Sequence, residues 1–310
     1  MDYRKLLCLV MTILMLLLTG CASTPPDVRE SDTSTEPSAE PPADSSETLE
    51  SSESSTQQPE ETMKKTYSIL FIGNSYTYYN DMPTALFEKM ATAAGYSVEV
   101  TAITKGAHTL AKFADPTDEY GAKVEAALNS DTRYDYVILQ EQSVLPATND
   151  PAEFYRAVRN LYDRIRLNRA KPILYSTWGR KTGNSTLSTN GWTNESMTWR
   201  LAAAYGAIGD ETRTSVAHVG LAFYDVYTSQ SKIDLYDADY THPSYAGSYL
   251  AAATLFAKIF DVDPTTLTFT GELSGEQAAI LLEAARKAVF ETPAIPEEYQ
   301  TSSKGIGERN

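Results

Sequence analysis

A serine, a histidine and an aspartate brought together can carry out nucleophilic acyl transfer, and two short stretches of this sequence supply those residue types. Histidine is scarce: only His108, His218 and His242 occur. His242 lies in Asp239-Tyr240-Thr241-His242-Pro243-Ser244, and an aspartate three residues ahead on a turn can reach back to the imidazole Nδ1–H. That bond fixes the tautomer and leaves Nε2 to accept a proton from a hydroxyl. A hydroxyl stands in Ile69-Leu70-Phe71-Ile72-Gly73-Asn74-Ser75-Tyr76-Thr77, where an apolar run stops at a glycine and Ser75 follows two residues later. Each stretch alone has a plainer reading, a polar turn or a capped turn with an ordinary surface histidine. The three histidines are far apart in sequence and no HExxH occurs, so neither a metal nor a cofactor is implied.

For these residues to meet, the elements carrying them must end at one edge of a sheet. Strands are expected over 67–72, 97–103, 136–139, 172–177 and 214–219. Helices are expected over 83–94, where Gly95 ends the pattern, and over 118–128, 151–167, 193–208, 221–228, 244–260 and 274–290. Phe154, Val158, Leu161 and Ile165 keep helical spacing behind Pro151 at the helix opening. Strands alternating with helices imply an α/β domain with a mainly parallel five-stranded sheet covered on both faces. Such folds place their chemistry at the carboxyl edge of the sheet, where Gly73 ends the first strand.

The 310 residues are not all one folding unit. Residues 1–20 begin with Arg4 and Lys5 and continue in an apolar run, 6–18, too short to span a bilayer comfortably; they read as a signal peptide. Leu18-Thr19-Gly20-Cys21 resembles a bacterial lipobox, so Cys21 is expected to carry lipid and hold an exported protein at the cell surface. Residues 21–63 read as a tether of Ser, Thr, Glu and Pro; 27–61 carry eleven acidic residues against one basic. Such a segment cannot bury enough surface to offset its ordering entropy. It accounts for −10 of the chain's net charge of −15, leaving the domain only mildly acidic. Without a basic run, nucleic acid is not an expected partner. Cys8 leaves with the signal, so the domain at 64–292 has no disulfide and holds on its core alone. Residues 293–310 read as a polar tail, and a monomer is expected.

Taken together, Gly73-Asn74-Ser75-Tyr76-Thr77, the late Asp239-x-x-His242-Pro243-Ser244 and Gly106 after the second strand resemble the SGNH hydrolase superfamily, the GDSL-like esterases. The runs 136–143, 219–223 and 233–236 further resemble a bacterial subfamily of secreted SGNH lipoproteins. The resemblance implies a flavodoxin-like three-layer α/β/α sandwich and a serine esterase. In it Ser75 attacks an ester carbonyl, His242 is general base and then acid, and Asp239 orients His242. It also implies an oxyanion hole from the N–H groups of Ser75 and Gly106 and a side-chain amide after the third strand. Where the family often carries Gly-x-Asn-Asp, this chain reads Leu139-Gln140-Glu141-Gln142-Ser143, so Gln140 or Gln142 is the candidate, with Gln140 favoured. Asn74 replaces the family's common Asp, a change that keeps the ability to bond turn backbone. An α/β-hydrolase elbow is excluded: Thr77 stands in place of its second glycine, and that fold takes acid and histidine from separate loops.

Aromatic residues give a weaker indication of substrate. Tyr76, Tyr78 and Tyr79 follow the serine, and Trp178, Trp192 and Trp199 flank a polar loop, 179–194. Aromatic faces beside polar groups suit sugar rings, with core packing the plainer role for Trp199. Tyr76 and Trp178 are the candidate substrate contacts. Lys105 and Arg180 could meet an acidic substrate group, although exposed basic residues are common; His218 is expected in a strand and His108 as structural or at the site rim. The expectation is a short-chain, acetyl-removing esterase acting on carbohydrate. A lipase or thioesterase of the same fold, or a non-catalytic glycan-binding lipoprotein, stands as the alternative.

Overall fold

The computed structural model describes residues 65–300. The expected signal peptide, the lipid site at Cys21, the tether and the last ten residues lie outside them. The first half of the domain runs β1 (Thr66–Gly73), α1 (Ser75–Tyr78), a π-helical stretch (Met82–Glu88) continued by α2 (Lys89–Ala93), β2 (Ser97–Thr104), α3 (Leu110–Ala114) and α4 (Glu119–Asn129). The second half runs β3 (Tyr136–Leu139), α5 (Ala152–Leu167), β4 (Lys171–Tyr175), α6 (Ser185–Asn190), α7 (Asn194–Thr212), β5 (Ser215–Ala217), α8 (Val219–Thr228), α9 (Tyr245–Phe260) and α10 (Gly275–Phe290).

All five strands join one sheet in the order β2-β1-β3-β4-β5, each neighbouring pair parallel. This is the flavodoxin-like order, and the chain reverses its direction of travel across the sheet between β1 and β3. Alternation along the strands feeds two cores. Ile69, Phe71, Ile138, Ile173 and Tyr175 face one core, shared with Phe87, Phe223, Leu250 and Leu281. Leu70, Ile72, Val137, Leu139 and Leu174 face the other, shared with Phe113, Val124, Leu161 and Tyr205. The α/β sandwich is therefore as expected.

Three local differences have physical causes. The fifth strand stops at Ala217, because His218 is already the N-cap of α8 rather than a strand residue. The short helices α3, in a stretch given no element, and α6, within the loop read at 179–194, start from Thr109 and Asn184, whose side chains accept backbone N–H groups. Residues 293–300 do not behave as a loose tail throughout, since Ile295 packs onto the first core. Among the described residues, no group of three His, Cys, Asp or Glu is placed to hold a metal, and no helix is long and apolar enough to cross a membrane.

Candidate active site

The site is built from the loops that leave the carboxyl edge of the sheet. β1 ends at Gly73, and Asn74 caps α1 by accepting the Tyr76 N–H at 3.3 Å. This turn is braced from the β3 side. Gln140 Oε1 accepts the Asn74 N–H and the Thr77 hydroxyl, each at 2.9 Å. The brace requires a glycine, because a Cβ on Gly73 would lie 2.4 Å from Thr77 Oγ1 and 2.8 Å from Gln140 Oε1. From the other side, Asn74 Nδ2 donates to the His108 carbonyl at 3.1 Å. Ser75 sits half-buried at the opening of α1 on this fixed turn.

His242 comes from a turn between α8 and α9. The turn is closed by a bridge between Tyr236 and Pro243 and by bonds from Asp237 N–H to His242 O (2.8 Å) and Ser244 N–H to Leu235 O (2.9 Å). Tyr240 takes a left-handed conformation, φ 60°, to complete it. His242 Nε2 lies 2.8 Å from Ser75 Oγ, and Nδ1 lies 2.5 Å from Asp239 Oδ2. Asp239 Oδ1 accepts the backbone N–H groups of Thr241 and His242, each at 2.9 Å. Partial burial works against ionising Asp239, but the His242 and Thr241 bonds outweigh it and hold the carboxyl below its ordinary range. The Tyr79 ring stacks on the imidazole at 4.2 Å, with 6° between planes. Asn80 Nδ2 donates to the Pro243 carbonyl (3.2 Å) and to Ser248 Oγ (2.8 Å), tying the serine's segment to the histidine's.

Two of the residues expected to supply backbone donors, Ser75 and Gly106, line one cavity. The Ser75 N–H, at the first turn of α1, has no intrahelical acceptor. Gly106 lines the same cavity, with Ala107 beside it in a left-handed conformation at φ 58°. The preference for Gln140 as the third donor is corrected by its burial: it has no accessible surface, its oxygen braces the turn, and its amide donates to the Glu141 carbonyl. Gln142 instead reaches the cavity. Its Oε1 accepts the N–H groups of Val144 and Leu145, at 2.9 and 3.1 Å, so its Nε2 is turned away from that loop.

The cavity measures about 430 Å³ and is lined by Asn74, Ser75, Tyr76, Tyr78, Tyr79, Gly106, Ala107, Gln142, Ser143, Arg180, Thr241 and His242. Tyr76 contributes wall although only 2% exposed. Trp178, expected as a substrate contact, is corrected to core: it is fully buried, sandwiched between Tyr76 at 4.3 Å and Phe223 at 4.0 Å. Trp199 and Trp192 are likewise away from the cavity, packed against the first core and against the Leu187–Met197 cluster. Lys105 stands over Tyr120, while Arg180 is buried and reaches the cavity. His108 pairs with Asp118 at 2.9 Å. His218 is half-buried, and desolvation, aided by Lys258, pushes its pKa down to about 4. Tyr79 was noted only as an aromatic following the serine, and Asn80, Ser143 and Thr241 carry no motif that would single them out in the sequence.

No protein-family model matches the chain, and no curated protein matches it. Solved structures do. A protein from Slackia heliotrinireducens, assigned by its description to the SGNH hydrolases, is 32% identical with a TM-score of 0.55, covering 63% of this chain and 100% of that one. A DUF4886 family protein from Bacteroides uniformis is 18% identical with a TM-score of 0.64, covering 75% of this chain and 98% of that one; that likeness is one of fold.

Proposed function

The chain belongs to the SGNH hydrolases, and on that premise we propose that it is a serine esterase that removes short acyl groups, acetyl above all, from carbohydrate. The observation that carries the reading is the hydrogen-bonded chain Ser75–His242–Asp239 opening on a cavity of mixed polar and aromatic lining. As Ser75 Oγ attacks the ester carbonyl carbon, His242 Nε2 takes its proton, and Asp239 stabilises the imidazolium. The tetrahedral oxyanion is held by the N–H groups of Ser75 and Gly106 and by Gln142 Nε2. The C–O bond to the alcohol then breaks, and His242 returns the proton to the departing oxygen. Water repeats the sequence on acyl-Ser75, with His242 accepting its proton, and releases the carboxylic acid. Each oxyanion donor is worth about 3 kcal/mol in the transition state.

Substrate size follows from the walls. Gln142, Ser143, Arg180 and Thr241 interrupt the lining with polar side chains, which favours a short acyl group over a long one, and Tyr78 and Tyr79 offer ring faces for a sugar. Lipid attachment at Cys21, with the 21–63 segment as tether, is part of the same proposal. A Cys21→Ala protein that stays with the membrane fraction would remove the anchor from it.

The direct test is hydrolysis of acetyl esters by the protein and its Ser75→Ala variant. The variant is expected to lose more than about 1000-fold in kcat and to lose labelling by a fluorophosphonate probe. Equal rates in the two proteins would reject Ser75 as nucleophile. Faster turnover of long acyl chains than of acetyl would move the reading to a lipase.

A further inference from the structure

Arg180 is the one residue of permanent charge that lines the cavity, and no Asp or Glu lines it. Its side chain is buried, with 9% of the residue exposed. The guanidinium touches only neutral groups: Nη1 donates to Thr241 Oγ1 at 2.5 Å and Nη2 to Ser143 Oγ at 2.9 Å. Nε is buried with no acceptor, and none of the ion pairs among the described residues includes Arg180. Two of five N–H donors are engaged, both by hydroxyls that leave the charge uncompensated. A buried charge without a counter-ion is costly, and a guanidinium offers a fork that fits a carboxylate.

We propose that this cavity takes esters whose alcohol half carries a carboxylate, bound by Arg180 with help from Ser143; the inference rests on the esterase reading above. The location assigns the carboxylate to the alcohol rather than to the acyl group. Arg180 bonds Thr241, the residue next to His242, and His242 must face the departing alcohol oxygen to return its proton. With a carbohydrate as the alcohol, the substrate class is an O-acetylated uronic acid, free or within a polysaccharide. The Ser143 hydroxyl, which accepts from Arg180, can turn its own proton to the same carboxylate.

The experiment compares kcat/KM for an O-acetylated methyl glucuronoside and the matching methyl glucoside in wild type, Arg180→Met and Arg180→Lys. Wild type is expected to prefer the acidic ester by about 10- to 100-fold, the range of one or two charge-assisted bonds. The preference should reside in KM, vanish in Arg180→Met and survive in part in Arg180→Lys. Equal kcat/KM for the two esters in wild type overturns the proposal, and that comparison decides even if Arg180→Met fails to fold. Titration calorimetry of Ser75→Ala with methyl glucuronoside and methyl glucoside separates the two readings. Binding of the acidic sugar alone, without turnover of either ester by wild type, keeps the carboxylate site and rejects the esterase. Turnover of both esters at one rate, with no binding of the acidic sugar, does the reverse.

Discussion

Glu141 is a carboxyl group with no accessible surface, one residue ahead of the Gln142 amide. Burial pushes its pKa up from 4.5 to about 7, against bonds from the Gln142 and Leu110 N–H groups, and Oε2 has no partner. An acid raised in the folded state stabilises the fold at low pH and ceases to do so as pH rises. Between pH 4.5 and 7 the unfolded chain releases a proton that the folded one keeps, so stability falls across that window and levels above it. Glu141→Gln copies the neutral form and should abolish the slope, gaining up to about 3 kcal/mol over wild type at pH 8. Urea denaturation at pH 5 and pH 8 measures it; an unchanged slope assigns the titration elsewhere. The two glutamines on either side of Glu141 should separate cleanly. Gln142→Glu keeps the oxygen that binds Val144 and Leu145 but loses the donor, so kcat should fall about 100- to 1000-fold. Gln140→Ala removes the acceptor of Asn74 and Thr77, and its main effect should be a stability loss of about 1–3 kcal/mol. A Gln140→Ala protein that melts like wild type yet loses kcat would exchange the two roles.

At the scale of elements, the turn between β1 and α1 is held by packing that leaves no room for a methyl group. Gly73→Ala must displace Thr77 or Gln140, so it should cost about 1–3 kcal/mol and lower acyl turnover with it. Thermal melting beside an acetyl-ester assay checks both, and a variant indistinguishable from wild type in each would show the turn to be less tightly determined. Most of this architecture is legible in sequence, because strands such as Tyr136–Leu139 and helices such as Ala152–Leu167 announce themselves by apolar spacing. The short helices Leu110–Ala114 and Ser185–Asn190 do not, since five or six residues hold too little of a 3.6-residue period. Asp239 and His242 were legible because a local turn sets their separation. The choice between Gln140 and Gln142 was not, because it depends on which amide the chain turns inward after β3. Arg180 was legible only as one of two basic residues that could meet an acidic group; its burial against Ser143 and Thr241, which sets it apart from Lys105, is a tertiary fact without a local pattern.

Over the whole molecule, loops leaving four strands line the cavity and a fifth segment, between α8 and α9, supplies Asp239 and His242. The far end of the chain also matters to the body: Ile295 rests 3.5 Å from where a Cβ on Gly206 would stand and covers the first core. Ending the protein at Thr292 should cost about 1 kcal/mol of burial, a fall in Tm of about 2–4 °C. Calorimetric melting of the two lengths tests that, and identical Tm values would show the contact to be idle. Asp239 and His242 share one closed turn, so their mutual geometry is set locally. The separation between that turn and Ser75 depends instead on three hydrogen bonds across segments, Ser75 to His242 and Asn80 to Pro243 and Ser248. Warming should widen this separation before the sheet melts, so the protein would fall silent while still folded and recover its activity on cooling.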